Sequence, residues 1–206
     1  MAEHGVCYII GAGEDCGLDF VPRAEDLLIA ADQGYARAKQ AGLQPDLVVG
    51  DFDSLGCVPE EKNVVVLPTV KDVTDTWAAV ELGKARGYRS FQLYGCTGGR
   101  VDHTLANLQT LAALAKEGMT GVLVDRTQNL TALSCGTMEF GPEKTGFLSV
   151  FSYSERCCGV TLRGLKYELE NAELTSFFPL GVSNEFVGKQ ACVTIGEGVA
   201  ILVFER

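Results

Sequence analysis

The sequence predicts an α/β fold in two parts, a doubly wound, mostly parallel sheet over residues 1–126 followed by an all-β sandwich or barrel over 127–206. Three observations carry this prediction. From Val6 to Asp125, short continuous apolar runs alternate with helical patterns, the texture of stacked βα units. After Arg126 helical periodicity disappears, and β-rich runs punctuated by glycine take over. The acids are segregated too: every aspartate precedes residue 126, and every later acid is glutamate.

The first part has strand candidates starting at Val6 (VCYIIGAG), Asp26 (DLLIAA), Asp46 (DLVVGD), Asn63 (NVVVLP), Ser90 (SFQLYG) and Gly121 (GVLVD). Their apolarity is continuous rather than alternating, as expected for strands covered on both faces of a Rossmann-like parallel sheet. Helices are predicted over Asp75–Arg86, closed by Gly87, and over Asp102–Glu117, closed by Gly118. In the second helix, Leu105, Leu108, Ala112 and Ala115 fall at helical spacing. The second part offers the runs NLTALS, FLSVFSYS, VTLRGLKYELE, ACVTI and VAILVFE, with turns expected at Gly136, Gly141-Pro142, Gly159 and Gly196-Glu197-Gly198.

Composition narrows the function classes. The 206 residues are 47% hydrophobic and 21% charged, which is ordinary for a globular chain with ample core. A formal charge of −10 argues against nucleic-acid or anionic-membrane partners, both of which need a basic face. The 8 cysteines form no CxxC pair, and most sit in apolar runs as small buried hydrophobes of a reducing compartment. His4 and His103 are the only histidines, so a structural zinc site is not expected. The N-terminal apolar run lacks a basic leader, and no segment approaches 18 unbroken apolar residues, so a cytoplasmic location is expected.

Ligands of open parallel sheets bind beyond the carboxyl ends of the strands, so the residues following each strand are the site candidates. Strand one ends in Gly11-Ala12-Gly13, a tight turn or a weak phosphate loop. Asp32 follows strand two, either as a helix cap or as a rim carboxylate. GDFDS after strand three places Asp51 and Asp53 two apart in extended chain, so both carboxylates point the same way. Such a pair repels unless a cation sits between its members, and a hard ion such as Mg²⁺ suits it. Lys71 and Asp72 either meet a phosphate and a metal respectively or cap the next helix. Thr74 and Asp75 open that helix on the same rim, where Asp75 also complements the dipole. After strand five come Gly98 and Gly99, whose amides can approach an anion, and Arg100, which can fork onto phosphate oxygens or form a surface ion pair. Asp102 and His103 follow at the next helix start, His103 reading best as a helix-terminal hydrogen-bonding residue. Carboxylates, a glycine loop and an arginine on one rim suit Mg²⁺-assisted phosphoryl chemistry. There is no Walker A sequence, and no Ser-His-Asp or Cys-His arrangement is evident.

On five motifs in order, the chain resembles the thiamine pyrophosphokinase (thiamine diphosphokinase) family over nearly its full length. These are PDLVVGDFDS at 45–54, KDVTD at 71–75, GGRVDH at 98–103, LRGLKYEL at 162–169 and GVSNEF at 181–186. The resemblance implies transfer of a diphosphoryl group from the co-substrate ATP to the hydroxyl of thiamine, releasing AMP, in a homodimer with active sites between subunits. It implies Asp51, Asp53 and Asp75 as the Mg²⁺ set, with Asp32 and Asp102 nearby, and phosphate contacts at Thr74 and Arg100. It places Tyr167 where an aromatic ring packs on thiamine, a position held by Trp in some members, and Ser183 and Asn184 where the pyrimidine is recognised. Residues alone would make Tyr167 an alternating strand position and Ser183-Asn184 a turn. The expected mechanism is in-line attack on the β-phosphorus, with Asp75, Arg100 and Asp102 as the catalytic candidates and Asp75 or Asp102 taking the hydroxyl proton. Two rivals remain at this level: a pyrophosphokinase for another hydroxymethyl heterocycle such as a reduced pterin, and a non-catalytic nucleotide- or thiamine-binding regulator.

Overall fold

The computed structural model describes residues 5–51, 63–68 and 72–206. The chain is mixed α/β, with three helices among the described residues. It separates into two compact units, Met1–Asn107 with Gly121–Arg126, and Leu108–Thr120 with Thr127–Arg206. The division follows the change of texture near residue 126, except that the later turns of one helix cluster with the second unit.

In the first unit the strands are β1 (Cys7–Ile10), β2 (Leu27–Ala31), β3 (Leu47–Gly50), β4 (Val64–Val66), β5 (Ser90–Tyr94) and β6 (Thr120–Val124). They lie in the order β6-β5-β1-β2-β3-β4. Pairing is parallel between β1 and β2, β1 and β5, β2 and β3, and β3 and β4. β1, β2 and β3 are buried at every residue, which accounts for their unbroken apolarity. Cover comes from both sides. Ala38 of α1 (Gly34–Gln40) packs in one cluster with Tyr8, Ile10 and Leu28. On the other face, Gly83 of α2 (Asp75–Ala85) lies so close to Phe91 and Cys7 that a Cβ there would clash with both side chains. Gly34 is likewise dictated by proximity, since a Cβ would run into the Ile10 carbonyl. Phe20 closes the first face, stacked on Tyr8 at 4.0 Å and tilted against Tyr94 at 4.8 Å.

The opposite rim is tied by side-chain acceptors. Asp26 accepts from Val6 N at 2.7 Å, and Asp46 accepts from Leu28 N at 2.8 Å, a structural role for Asp46. The third helix, α3, runs over Val101–Lys116. Its spacing assigns Leu105 to the apolar stripe, yet Leu105 is 59% exposed while Asn107 and Thr110 are buried. The buried face is therefore rotated relative to the apolar spacing and includes polar residues.

The second unit pairs antiparallel throughout. Its strands are β7 (Gln128–Phe140), β8 (Phe147–Ser152), β9 (Arg156–Arg163), β10 (Leu169–Thr175), β11 (Asn184–Glu185) and β12 (Ala191–Glu205). β12 is the spine: it pairs β7 along its length, β9 through Cys192–Glu197, and β8 through Ala200–Phe204. This corrects the expected turn at Gly196-Glu197-Gly198. ACVTI and VAILVFE are one strand with a register shift between Ile195 and Val199, where Gly198 takes a φ of 94°. Gly136 and Gly159 are also interior to strands rather than turns. The expected break at Gly141-Pro142 is present, closed by Lys144 N donating to Gly141 O at 3.2 Å. VTLRGLKYELE, written as a single run, is two strands divided after Arg163, where Gly164 has a φ of 71°. Around β12 the core gathers Leu148, Val160, Leu162, Val193 and Leu202, with Phe140 against Phe186 and Phe204 at 5.3 Å each.

Candidate active site

β1 lies between β2 and β5, with the chain continuing outward through β2, β3 and β4 on one side and reaching β5 and β6 on the other. The strand order therefore reverses between β1 and β5, and open parallel sheets form a crevice beyond the carboxyl ends of the strands at such a reversal. A cleft of about 460 Å³ occupies this place, within the range of small-ligand sites. Its walls come from the loop after β1, the end of β2, the start of α2, the loop after β5 and the first turns of α3.

The loops after β1 and β5 are zipped together. Gly11 N donates to Tyr94 O at 2.8 Å, Gly13 N to Gly95 O at 2.6 Å, and Glu14 N to Thr97 O at 2.8 Å. A Cβ on Gly11 would press on Gly95 O and Cys96 Sγ, and one on Gly13 would meet the Thr97 carbonyl. Close packing of two backbones is thus sufficient reason for both glycines. The loop after β5 is fixed from below: Asn107 Nδ2 donates to Cys96 O at 2.7 Å, and Thr97 Oγ1 donates to Asp125 Oδ1 at 3.1 Å. Burial pushes the Cys96 thiol up to about 12, which removes it as a nucleophile near pH 7.

Among the residues selected from the sequence, Asp32, Asp75, Gly98, Gly99 and Arg100 line the cleft, as does His103. Asp32 sits just past β2 with a left-handed φ of 49°, its N–H donating to Val49 O at 2.8 Å. Asp75 stands in the first turn of α2, which Thr74 caps by accepting from Trp77 N at 3.2 Å. The Thr74 oxygen is therefore engaged by the helix as well as being a phosphate candidate. Gly98 and Gly99 have φ of 74° and 62°, a backbone that only glycine adopts cheaply. Asp51, just past β3, is half-buried and is not part of the cleft lining; Asp72 is exposed. Asp53 and Lys71 lie outside the described residues.

Arg100 and Asp102 bind each other. Arg100 Nη2 to Asp102 Oδ2 is 2.6 Å and Nε to Oδ1 is 3.2 Å, with both side chains largely in solvent. The Arg100 hydrogen bond and charge hold the Asp102 carboxyl below its ordinary range. Of the two base candidates, Asp75 lines the cleft, whereas Asp102 does not and its carboxylate is engaged by Arg100.

Among the described residues no group of three His, Cys, Asp or Glu side chains could hold a metal ion. The chemistry of the cleft carboxylates nonetheless suits Mg²⁺. This ion needs only one or two carboxylates when phosphate oxygens and water complete its shell, and Asp32 and Asp75 both line the cleft.

In the second unit, three further candidates form a local cluster. Asn184 is 4% exposed, accepts at Oδ1 from Tyr167 N and Glu185 N at 2.9 Å each, and donates from Nδ2 to Tyr167 O at 2.7 Å. Its amide therefore holds the Tyr167 backbone, at a position where the family resemblance implies pyrimidine recognition. The Tyr167 ring is presented outward, 59% exposed, with Lys166 Nζ 5.5 Å from its centroid and paired to Glu185 at 2.8 Å. Ser183 is exposed at a left-handed φ of 55°, with its N–H on Ser149 Oγ at 3.0 Å.

Sequence reasoning missed Asn107 and Arg37, the latter donating to the carbonyls of Gly11 and Gly13. Asn107 left one signal, a polar residue inside the apolar run of α3. Arg37 left none, since an arginine in a short helix normally reads as a solvated side chain.

Residues 21–123 match the family described as thiamin pyrophosphokinase, catalytic domain, and residues 137–200 match thiamin pyrophosphokinase, vitamin B1 binding domain. The thiamine pyrophosphokinase of Bacillus subtilis (strain 168) is 28% identical over 184 residues, covering 86% of each chain. The crystal structure of a Bacillus subtilis thiamine pyrophosphokinase superposes with a TM-score of 0.85 at 26% identity, covering 98% of this chain and 99% of the other. That from Geobacillus thermodenitrificans gives 0.84 at 27% identity, covering 98% of both. Yeast thiamin pyrophosphokinase has the same fold, with a TM-score of 0.76 at 17% identity over 100% of this chain and 87% of its own. With a crevice at the strand reversal, glycine and carboxylate lips around it, and both domain models matched in order, this chain belongs to the thiamin pyrophosphokinase family.

Proposed function

We propose that this chain transfers the diphosphoryl group of ATP to the hydroxyl of thiamine, forming thiamine diphosphate and AMP, with ATP seated in the cleft that the loops after β1 and β5 wall together with the end of β2 and the starts of α2 and α3. The observation that carries the reading is the position of that cleft, at the strand reversal and lined, apart from the loop after β1, by residues within the 21–123 match to the catalytic domain. The hydroxyl oxygen of thiamine attacks the β-phosphorus; an O–P bond forms as the bond from the β-phosphorus to the oxygen bridging it to the α-phosphate breaks, and AMP leaves with that oxygen. Most of the catalysis is alignment and charge stabilisation. Arg100 is held at the cleft mouth by Asp102 and forks onto non-bridging oxygens, and the left-handed Gly98-Gly99 segment lets backbone approach the phosphates. Asp75 takes the proton of the hydroxyl. Asp32 and Asp75 in the cleft, with Asp51 just past β3, would hold Mg²⁺, which would supply charge neutralisation to the phosphates; the family resemblance adds Asp53 to that set.

Thiamine belongs to the second unit in this reading. The exposed Tyr167 ring offers a stacking face, Asn184 fixes the backbone under it, and Ser183 supplies a nearby polar contact. A homodimer with active sites between subunits is part of the proposal. So is a cytoplasmic location, supported by the seven described cysteines, all of which are thiols. No helix among the described residues is long and apolar enough to cross a membrane.

Incubation with ATP and Mg²⁺ together with either thiamine or a reduced hydroxymethyl pterin tests the substrate. Diphosphorylation of thiamine alone is expected. Diphosphorylation of the pterin alone would overturn the assignment, and tight binding of thiamine and ATP without AMP release would make the chain a regulator.

A further inference from the structure

Of the four backbone N–H groups from Gly11 to Glu14, three are taken by carbonyls of the β5 strand and loop, those of Gly11, Gly13 and Glu14. The Ala12 N–H has no hydrogen-bond partner among the described residues, although Ala12 lines the cleft. Its orientation has a cause. Arg37, half-buried on α1, donates from Nη1 to Gly11 O at 2.8 Å and from Nη2 to Gly13 O at 2.6 Å. The peptide joining Gly11 to Ala12 is planar and trans, so drawing the Gly11 carbonyl toward Arg37 turns the Ala12 N–H the opposite way. The same guanidinium reaches the β5 loop, since a Cβ on Gly95 would collide with its Nη1. A planar cation spanning two carbonyls fixes the loop in a way a point charge cannot. It also polarises both peptides, strengthening the donor on their far side.

We propose that Arg37 is a positioning residue that presents the Ala12 N–H to a non-bridging phosphate oxygen of the nucleotide. This rests on the reading of the cleft as the ATP site. It gives the loop after β1 a phosphate contact through one amide, with its two glycines serving the packing against β5.

Two perturbations test it, read by the Kd for ATP, the KM for each substrate and the melting temperature. Arg37→Met is expected to raise the Kd and KM for ATP about 10- to 100-fold, as for a lost hydrogen bond to a charged group. The KM for thiamine stays within about twofold, because uniform damage to the enzyme would move both substrates. Arg37→Lys, which keeps the charge but spans one carbonyl, falls between. Replacing Ala12 by lactate exchanges the N–H for an ester oxygen while Arg37 stays in place, and should reproduce the loss for ATP. An unchanged ATP Kd in the ester protein overturns the proposal even if Arg37→Met fails to fold, and so does an equal loss for both substrates. If the wild-type chain binds no ATP, the nucleotide reading fails first and this proposal falls with it; if it binds ATP tightly and the ester does too, only the proposal fails.

Discussion

Asn184→Ala removes the side chain whose amide fastens the Tyr167 backbone to β11, and its cost can be worked from the hydrogen bonds it breaks. Three disappear, two accepted by Oδ1 and one donated by Nδ2. The groups left behind are backbone N–H and C=O, each costing about 1–3 kcal/mol if they stay dry. Tyr167 is 59% exposed, so water re-satisfies part of its backbone and the lower half of that range applies to its two groups. With the Glu185 N–H at the full range, the sum is about 3–7 kcal/mol, which for a chain of this length lowers the melting temperature by roughly 6–28 °C. Urea unfolding followed by tryptophan fluorescence and circular dichroism gives the free energy, and steady-state kinetics gives the companion effect. The KM for thiamine should rise several-fold while the KM for ATP is unchanged, because the variant touches only the second unit. A melting temperature within about 2 °C of wild type, or a selective rise in the KM for ATP, would refute the role assigned to Asn184. Asn184→Asp sharpens the test: it keeps the acceptor but faces Tyr167 O with a carboxylate oxygen, so it should be at least as damaging as alanine at neutral pH and milder in acid, where the carboxyl can donate.

Three other outcomes are expected. Asp75→Asn should lower kcat by about 100-fold or more, the range for a lost general base, whereas Asp102→Asn should retain substantial turnover and an unchanged melting temperature because its ion pair is exposed; equal losses from the two would contradict the assignment. Arg100 holds the Asp102 carboxyl below its ordinary range, so the pair is intact above that range and is lost only as pH falls through the depressed value; NMR titration of the Asp102 side chain should show that low midpoint, and an ordinary one would contradict the pairing. Iodoacetamide at about pH 8 should label exposed Cys135 well before Cys7 and Cys96, whose thiols burial pushes up to about 12; early labelling of Cys96 would mean that the loop after β5 opens readily.

The N-terminal sheet was legible because its code is local. β1 to β4 and β6 contain continuous apolar runs bounded by polar or glycine residues, β5 is interrupted only at Gln92, and α2 and α3 carry end signals at Thr74, Gly87 and Gly118. The antiparallel unit was less so, because a glycine inside a bulged strand and a glycine in a turn look alike in one dimension. Gly136, Gly159 and the pair at 196 and 198 read as strand ends in the sequence, and only pairing with β7 and β9 shows β12 to be continuous. Asp32, Asp75, Gly98, Gly99 and Arg100 could be placed at the cleft from the rule that loops after parallel strands carry the site. Asn184 stands out as a residue while its hydrogen-bond partners do not: a turn-like Asn gives no sign of whether its amide faces a ligand or its own backbone. Arg37 escaped entirely, because its partners are carbonyl groups, which every residue has and no sequence pattern marks.

Diphosphoryl and monophosphoryl transfer to thiamine are distinguished by following ATP labelled at its γ-phosphate in the presence of thiamine and Mg²⁺. With diphosphoryl transfer, the label appears in the distal phosphate of thiamine diphosphate while the nucleotide leaves only as AMP, in equal amount. Labelled thiamine monophosphate accompanied by ADP, or label left entirely in ATP, would contradict it.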